Sequence, residues 1–208
     1  MSRARLHLVL FAALLSSLGA ADTSRAQSVT SGRYGLNQSS SLVAFTIFTQ
    51  GLFSSKREGR FHDVTGELSY DPSKPADAHI DLVVYTASVD MKNAQHDQLL
   101  RSREFFDVDE FPTMRFTSAR ADIKRDGTLM VSGDLTIRGI TKRIAIPVAL
   151  HVSAAAGSAP AATFETTFNI DRTEFGLNGV PKWNAFSISI AKRVQIHVAI
   201  ATSSFSAK

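Results

Sequence analysis

The chain is 208 residues long, 44% hydrophobic and 20% charged, with a formal net charge of +4 and no cysteine. That balance excludes a disordered or fibrous segment and fits one folded domain. The missing cysteine excludes disulfides, thiolate metal sites, a catalytic thiol and a lipidated N-terminal cysteine, so core packing must hold the fold.

In chain order, the first element is a leader. Met1 to Arg5 carries two arginines, Leu8 to Leu18 is an uncharged apolar run, and small residues follow at Gly19-Ala20-Ala21 and Ser24-Arg25-Ala26. This is the pattern of a secretory signal peptide, and the apolar run is well short of the roughly 20 residues of a membrane span. Both cut sites fit; taking the second divides the chain into a signal peptide, 1–26, and a domain, 27–208. Cleavage there removes Arg3, Arg5, Arg25 and Asp22, so the formal net charge of +4 falls to +2. The remaining basic residues are interspersed with acidic ones, which excludes nucleic acid as a partner. Export predicts a periplasmic location.

The domain reads with period two, the spacing that sends alternate side chains to opposite faces of a strand. The stripes are Val43, Phe45 and Ile47; Val64, Leu68 and Tyr70; Ile80, Leu82 and Val84; and Met114 and Phe116. After the hairpin signal Asp126-Gly127 come Leu129, Val131, Leu135 and Ile137, then Ile144, Ile146, Val148, Leu150 and Val152. Phe164, Phe168 and Ile170 follow an Ala/Gly/Ser/Pro loop, and Val194, Ile196, Val198 and Ile200 close the series. About eight strands result. One stretch departs: from Asn93 to Phe106, Leu99, Leu100, Arg103 and Phe106 fall at helical spacing with Asn93 as cap, predicting one or two short helices.

An all-β chain of this pattern forms a sandwich or a closed barrel, since both hide strand edges. A barrel of about eight strands either fills with its own side chains or holds one small ligand, and the apolar stripes are compatible with both. No G-x-S-x-G, glycine-rich phosphate loop or H-E-x-x-H occurs. His62, His79, His96, His151 and His197 are too scattered for two of them to share a metal from one element, so no metal or cofactor is expected. His96 beside Asp97 is the one candidate acid/base pair, and neighbours on a helix point in different directions.

The segment NAQHDQLLRSREFFDVDEFPTMRFTS, residues 93 to 118, resembles the signature of the YceI-like family of exported bacterial proteins associated with lipid and polyisoprenoid binding. The likeness extends upstream through Tyr34-Gly35-Leu36-Asn37 and Glu58-Gly59-Arg60-Phe61. Downstream it runs through Val131 to Lys142 and through Asn169-Ile170-Asp171-Arg172 with Glu174-Phe175-Gly176. It covers about Gly32 to Ile200. Two blocks depart from the family's pattern: Asn37, Ser39 and Ser40 replace an acid and a His-Ser pair, and Lys192-Arg193 replaces an acidic pair before the last strand.

The resemblance implies an eight-stranded antiparallel lipocalin-like barrel with a long apolar tunnel for an isoprenoid chain, such as a quinone tail or polyprenyl phosphate. Under it, Phe45, Ile47, Leu82, Val84, Leu99, Phe106, Phe116, Val131, Leu135, Phe164 and Phe168 become lining candidates. Asp97, Arg101 and Arg172 match motif positions that either meet a polar head at the tunnel mouth or tie helix and turn to the barrel. The Lys192-Arg193 pair favours an anionic head group or transient contact with the inner-membrane surface. The implied role is carrier or reservoir; the alternative is a lipid-modifying enzyme using His96 and Asp97 in the same barrel.

Overall fold

The computed structural model describes residues 32–50, 55–71, 73–126, 128–153, 161–179 and 189–202. Among them are strands β1 (Gly32–Gly35), β2 (Leu42–Gln50), β3 (Ser55–Phe61), β4 (Val64–Tyr70), β5 (His79–Tyr85) and β6 (Val89–Asp90). One α-helix, α1 (Ala94–Arg101), separates these from β7 (Thr113–Ile123), β8 (Leu129–Ile137), β9 (Ile140–Ser153), β10 (Ala161–Asp171) and β11 (Ser189–Ala201). All eleven belong to one antiparallel sheet in the order β1-β4-β5-β7-β8-β9-β10-β11-β2-β3-β6.

The expected count of eight is therefore corrected to eleven described strands, and the three additions share a cause. The eight apolar stripes correspond to β2, β4, β5, β7, β8, β9, β10 and β11. β3 has only Gly59 and Phe61 buried, β1 buries only Tyr34, and β6 is two residues long, so none carries a stripe. β3 and β4 are in effect one long strand that changes partner at a corner. Only His62 and Asp63 separate them; β3 pairs with β2 and β4 with β5, both antiparallel. That corner brings the far parts of the sheet order together, and a bridge from Leu36 to Thr202 links the chain just after β1 to the end of β11. Bulges between Ser118 and Arg120 in β7 and between Ile190 and Val194 in β11 bend those strands and help the sheet curl.

Turn chemistry fixes the register. Asp126 Oδ1 accepts the Thr128 N–H at 3.0 Å between β7 and β8; Gly127, the other half of that turn signal, lies outside the described residues. Between β8 and β9, Arg138 and Gly139 have φ of 49° and 72°, the paired positive values that match a two-residue turn to strand twist. The helix begins as its sequence predicts, with Asn93 Oδ1 accepting the His96 N–H at 3.0 Å. It stops at Arg101, short of Phe106, where the Ser102 hydroxyl donates to Leu99 O at 2.7 Å and the chain turns away.

The core falls into two clusters. One gathers Leu100, Phe105, Phe106 and Phe175 around α1 with Phe45, Ile47 and Val194 from the sheet. The other packs Phe116, Val131, Ile146, Val148 and Phe164 with Tyr34. Leu82, Leu135 and Phe168 are only partly buried and touch both clusters. The space between the clusters is where an interior cavity lies.

Candidate functional site

The curled sheet surrounds a cavity of about 160 Å³. One buried water occupies roughly 10–15 Å³ on this scale, so the space holds far more than a solvent molecule. Its wall follows from strand alternation and register. On β10, Phe164, Thr166, Phe168 and Ile170 face inward; directly across on β11 are Ile200, Val198, Ile196 and Val194. The last three continue onto Val43, Phe45 and Ile47 of β2. Leu82 and Val84 of β5, Phe116 of β7 and Leu135 of β8 extend the wall, and Leu100, Phe105, Phe106 and Leu177 close it on the α1 side.

Nine of the eleven sequence-predicted lining residues thus face the cavity: Phe45, Ile47, Leu82, Val84, Phe106, Phe116, Leu135, Phe164 and Phe168. Two do not. Val131 is 0% exposed inside the second cluster, and Leu99 is partly buried and packs against the first. Among the residues missed, Val194, Ile196, Val198 and Ile200 stood in plain sight as the last apolar stripe. Phe61, Phe105 and Leu177 gave no periodic signal, because the first sits on a polar strand and the others lie outside strands.

Room for large rings is made by glycine. A Cβ on Gly59 of β3 would meet Phe45 Cζ at 2.3 Å, directly across the β2–β3 ladder. The Phe45 ring packs on Phe61 with centroids 5.6 Å apart, and Phe61 meets Phe106 edge-on at 5.5 Å. These contacts tie strand, corner and helix segment into one wall.

The motif polar residues bond to backbone groups of their own chain. Asp97 Oδ1 accepts the Met91 N–H at 2.7 Å, and Arg101 donates to Ala87 O at 2.8 Å and Val89 O at 2.6 Å, fastening α1 to the chain around β6. Arg172 donates to Leu177 O, to Asn178 O at 2.9 Å, and to Ala191 O and Ile190 O at 3.1 Å each. Burial pushes its guanidinium below the ordinary arginine value, with the neighbouring Asp171 carboxylate opposing. Neither His96 nor Asp97 lines the cavity. Partial burial, then Arg57, lower the His96 imidazole, and Asp97 raises it.

Among the described residues, only three that line the cavity carry polar side chains: Thr166, Arg115 and Arg172. The Arg115 guanidinium is engaged by Asp81, at 2.8 Å through Nε. Among the described residues no group of three or more His, Asp or Glu is placed to hold a metal ion. What remains is a space walled almost wholly by hydrocarbon and suited to apolar matter.

The model of the YceI-like domain matches residues 34–202, a span that contains every wall residue named above. The chain belongs to the YceI-like family. A relative, the UPF0312 protein of Shewanella baltica strain OS185, is 34% identical over 133 residues, 64% of this YceI-like chain and 70% of that protein. Among solved structures, Burkholderia cenocepacia BcnA superimposes with a TM-score of 0.70 at 23% identity, over 81% of this chain and 99% of BcnA. A polyisoprenoid binding domain from Saccharophagus degradans matches with a TM-score of 0.61 at 16% identity, over 82% of this chain and 98% of that domain. At such identities the two structures speak for a shared fold.

Proposed function

We propose that this YceI-like chain is an exported binding protein that holds the hydrocarbon tail of a polyisoprenoid or another long-chain lipid, as carrier or reservoir. The observation that carries the reading is the cavity wall, apolar at every described position but three. Each CH₂ buried there gains about 0.8 kcal/mol, so a long tail binds without any directed polar contact. The binding property named for the Saccharophagus degradans domain supports the same ligand class. An eight-stave lipocalin-like barrel, with β3 and β4 as one bent stave, is the form this reading gives the sheet.

The reading assigns no chemistry, because Asp97 is committed to Met91 and neither member of the His96 and Asp97 pair meets the cavity. Location in the periplasm rests on the leader in residues 1–26, which lie outside the described residues. Lys192 and Arg193 give β11 a basic start suited to brief contact with an anionic membrane surface, although Arg193 also donates to Asn169 Oδ1 at 3.0 Å. Trp183 and Phe186, just before them, lie outside the described residues.

Native mass spectrometry of protein purified from its own periplasm tests the reading. The expected spectrum shows one lipid per chain, released and identified on extraction. Phe168→Asp, which places a carboxylate on the dry wall, should abolish retention while secretion continues. A bare wild-type chain that also takes up no prenyl or alkyl probe would overturn the proposal.

A further inference from the structure

The cavity wall contains one unexplained atom. Thr166 is 8% exposed, and its Oγ1 is the buried side-chain oxygen without a hydrogen-bond partner among the described residues. An unmatched buried hydroxyl is a net cost to folding, and valine has the same shape without that cost. Every other inward position nearby is apolar: Val198 and Val43 in the same cross-strand row, Phe164 and Phe168 two residues away on either side. Val43 belongs to the first core cluster and Val198 packs against it, whereas Phe164 on the other side of Thr166 belongs to the second. β9 leaves its ladder with β10 at Glu165, one residue earlier, so no β9 residue is laddered opposite the hydroxyl.

A water is a poor answer to this atom. A buried water makes about three hydrogen bonds, whereas the other polar lining side chains, Arg115 and Arg172, are taken up by Asp81 and by four backbone carbonyls. Rotation about one bond, χ1, exchanges the Thr166 hydroxyl with its methyl at the cavity face.

We infer that Thr166 is a polar contact for the ligand inside the cavity, so that the buried part of the ligand carries an oxygen at the level of Thr166, as a ketone, quinone, ester or hydroxyl. The inference rests on the tail-binding reading and sharpens it. A lipid that is hydrocarbon throughout its buried length leaves the hydroxyl unmatched; an oxygenated one satisfies it. Thr166 is then the residue that separates the two classes.

The test uses delipidated protein with two probes, a symmetric long-chain dialkyl ketone and the n-alkane of equal length. The quantity read is the ratio of their affinities in wild type, Thr166→Val and Thr166→Ser, in which differences in probe hydration cancel between variants. Thr166→Val should lower the preference for the ketone by roughly two- to tenfold, the range expected of one buried hydrogen bond, and Thr166→Ser should keep it. Unloaded Thr166→Val should melt no lower than wild type. An unchanged ratio in Thr166→Val, or a lower melting temperature of that unloaded variant, overturns the inference and leaves tail binding standing. Failure of wild type to bind either probe overturns the tail-binding reading, and the inference falls with it.

Discussion

Arg172, one of two arginines on the cavity wall, has its donors committed within the chain. Its fork spans four carbonyls, two just after the turn it belongs to and two at the start of β11, so the charge is spent on joining segments that share no ladder at that point. Lysine cannot reproduce a planar fork with donors on three nitrogens. Arg172→Lys should therefore destabilise by about 2–3 kcal/mol, read as a lower urea midpoint with an unchanged slope, since several carbonyls lose a charged donor at once. A head-group contact would behave differently: stability would hold and affinity for anionic lipids would fall. The motif position was legible in the sequence, and tying the turn to the barrel was one of the two roles expected of it; the four acceptors were not legible, because they are backbone atoms that no sequence pattern marks.

At the scale of elements, alternation reveals which face of a strand turns inward but says nothing about depth along the axis. Val131 and Leu135 lie on the same face of β8, yet Val131 is enclosed within the second cluster and Leu135 faces the cavity. The same limit hid β3, whose inward face offers a glycine where a side chain would reveal the stripe. Gly59 is buried because the Phe45 ring occupies the place of its missing Cβ, with Met91 Cγ only 2.9 Å from that site as well. In Gly59→Ala the ring must yield, and the cavity gives it somewhere to go. The cost should stay near the low end of overpacking, about 1 kcal/mol, while the ring enters the space a ligand would use. Denaturation and probe titration on the same variant should thus show a small loss of stability beside a several-fold loss of affinity. A large loss of stability with affinity retained would mean that the ring is displaced outward instead.

For the molecule as a whole, a curled sheet with two packed clusters and an unfilled middle is less stable than the same sheet packed throughout, because wall atoms facing empty space lose their dispersion partners. Ligand and substitution can supply those partners in competition with each other. A lipid present at a hundred times its dissociation constant adds about 2.7 kcal/mol to the folded state. For a domain of this size that is roughly 5–10 °C in melting temperature. Val198→Phe sends a ring from β11 into the same space, across from Thr166 and beside Val43. If the middle is open in solution, this substitution should raise the melting temperature of the delipidated protein and abolish the rise that added lipid produces in wild type. If the wall instead collapses inward when empty, the added ring overpacks it and the variant melts lower. Differential scanning calorimetry of both proteins, delipidated and loaded, separates these outcomes, and the sign of the change in the empty state tests directly whether the cavity is open space.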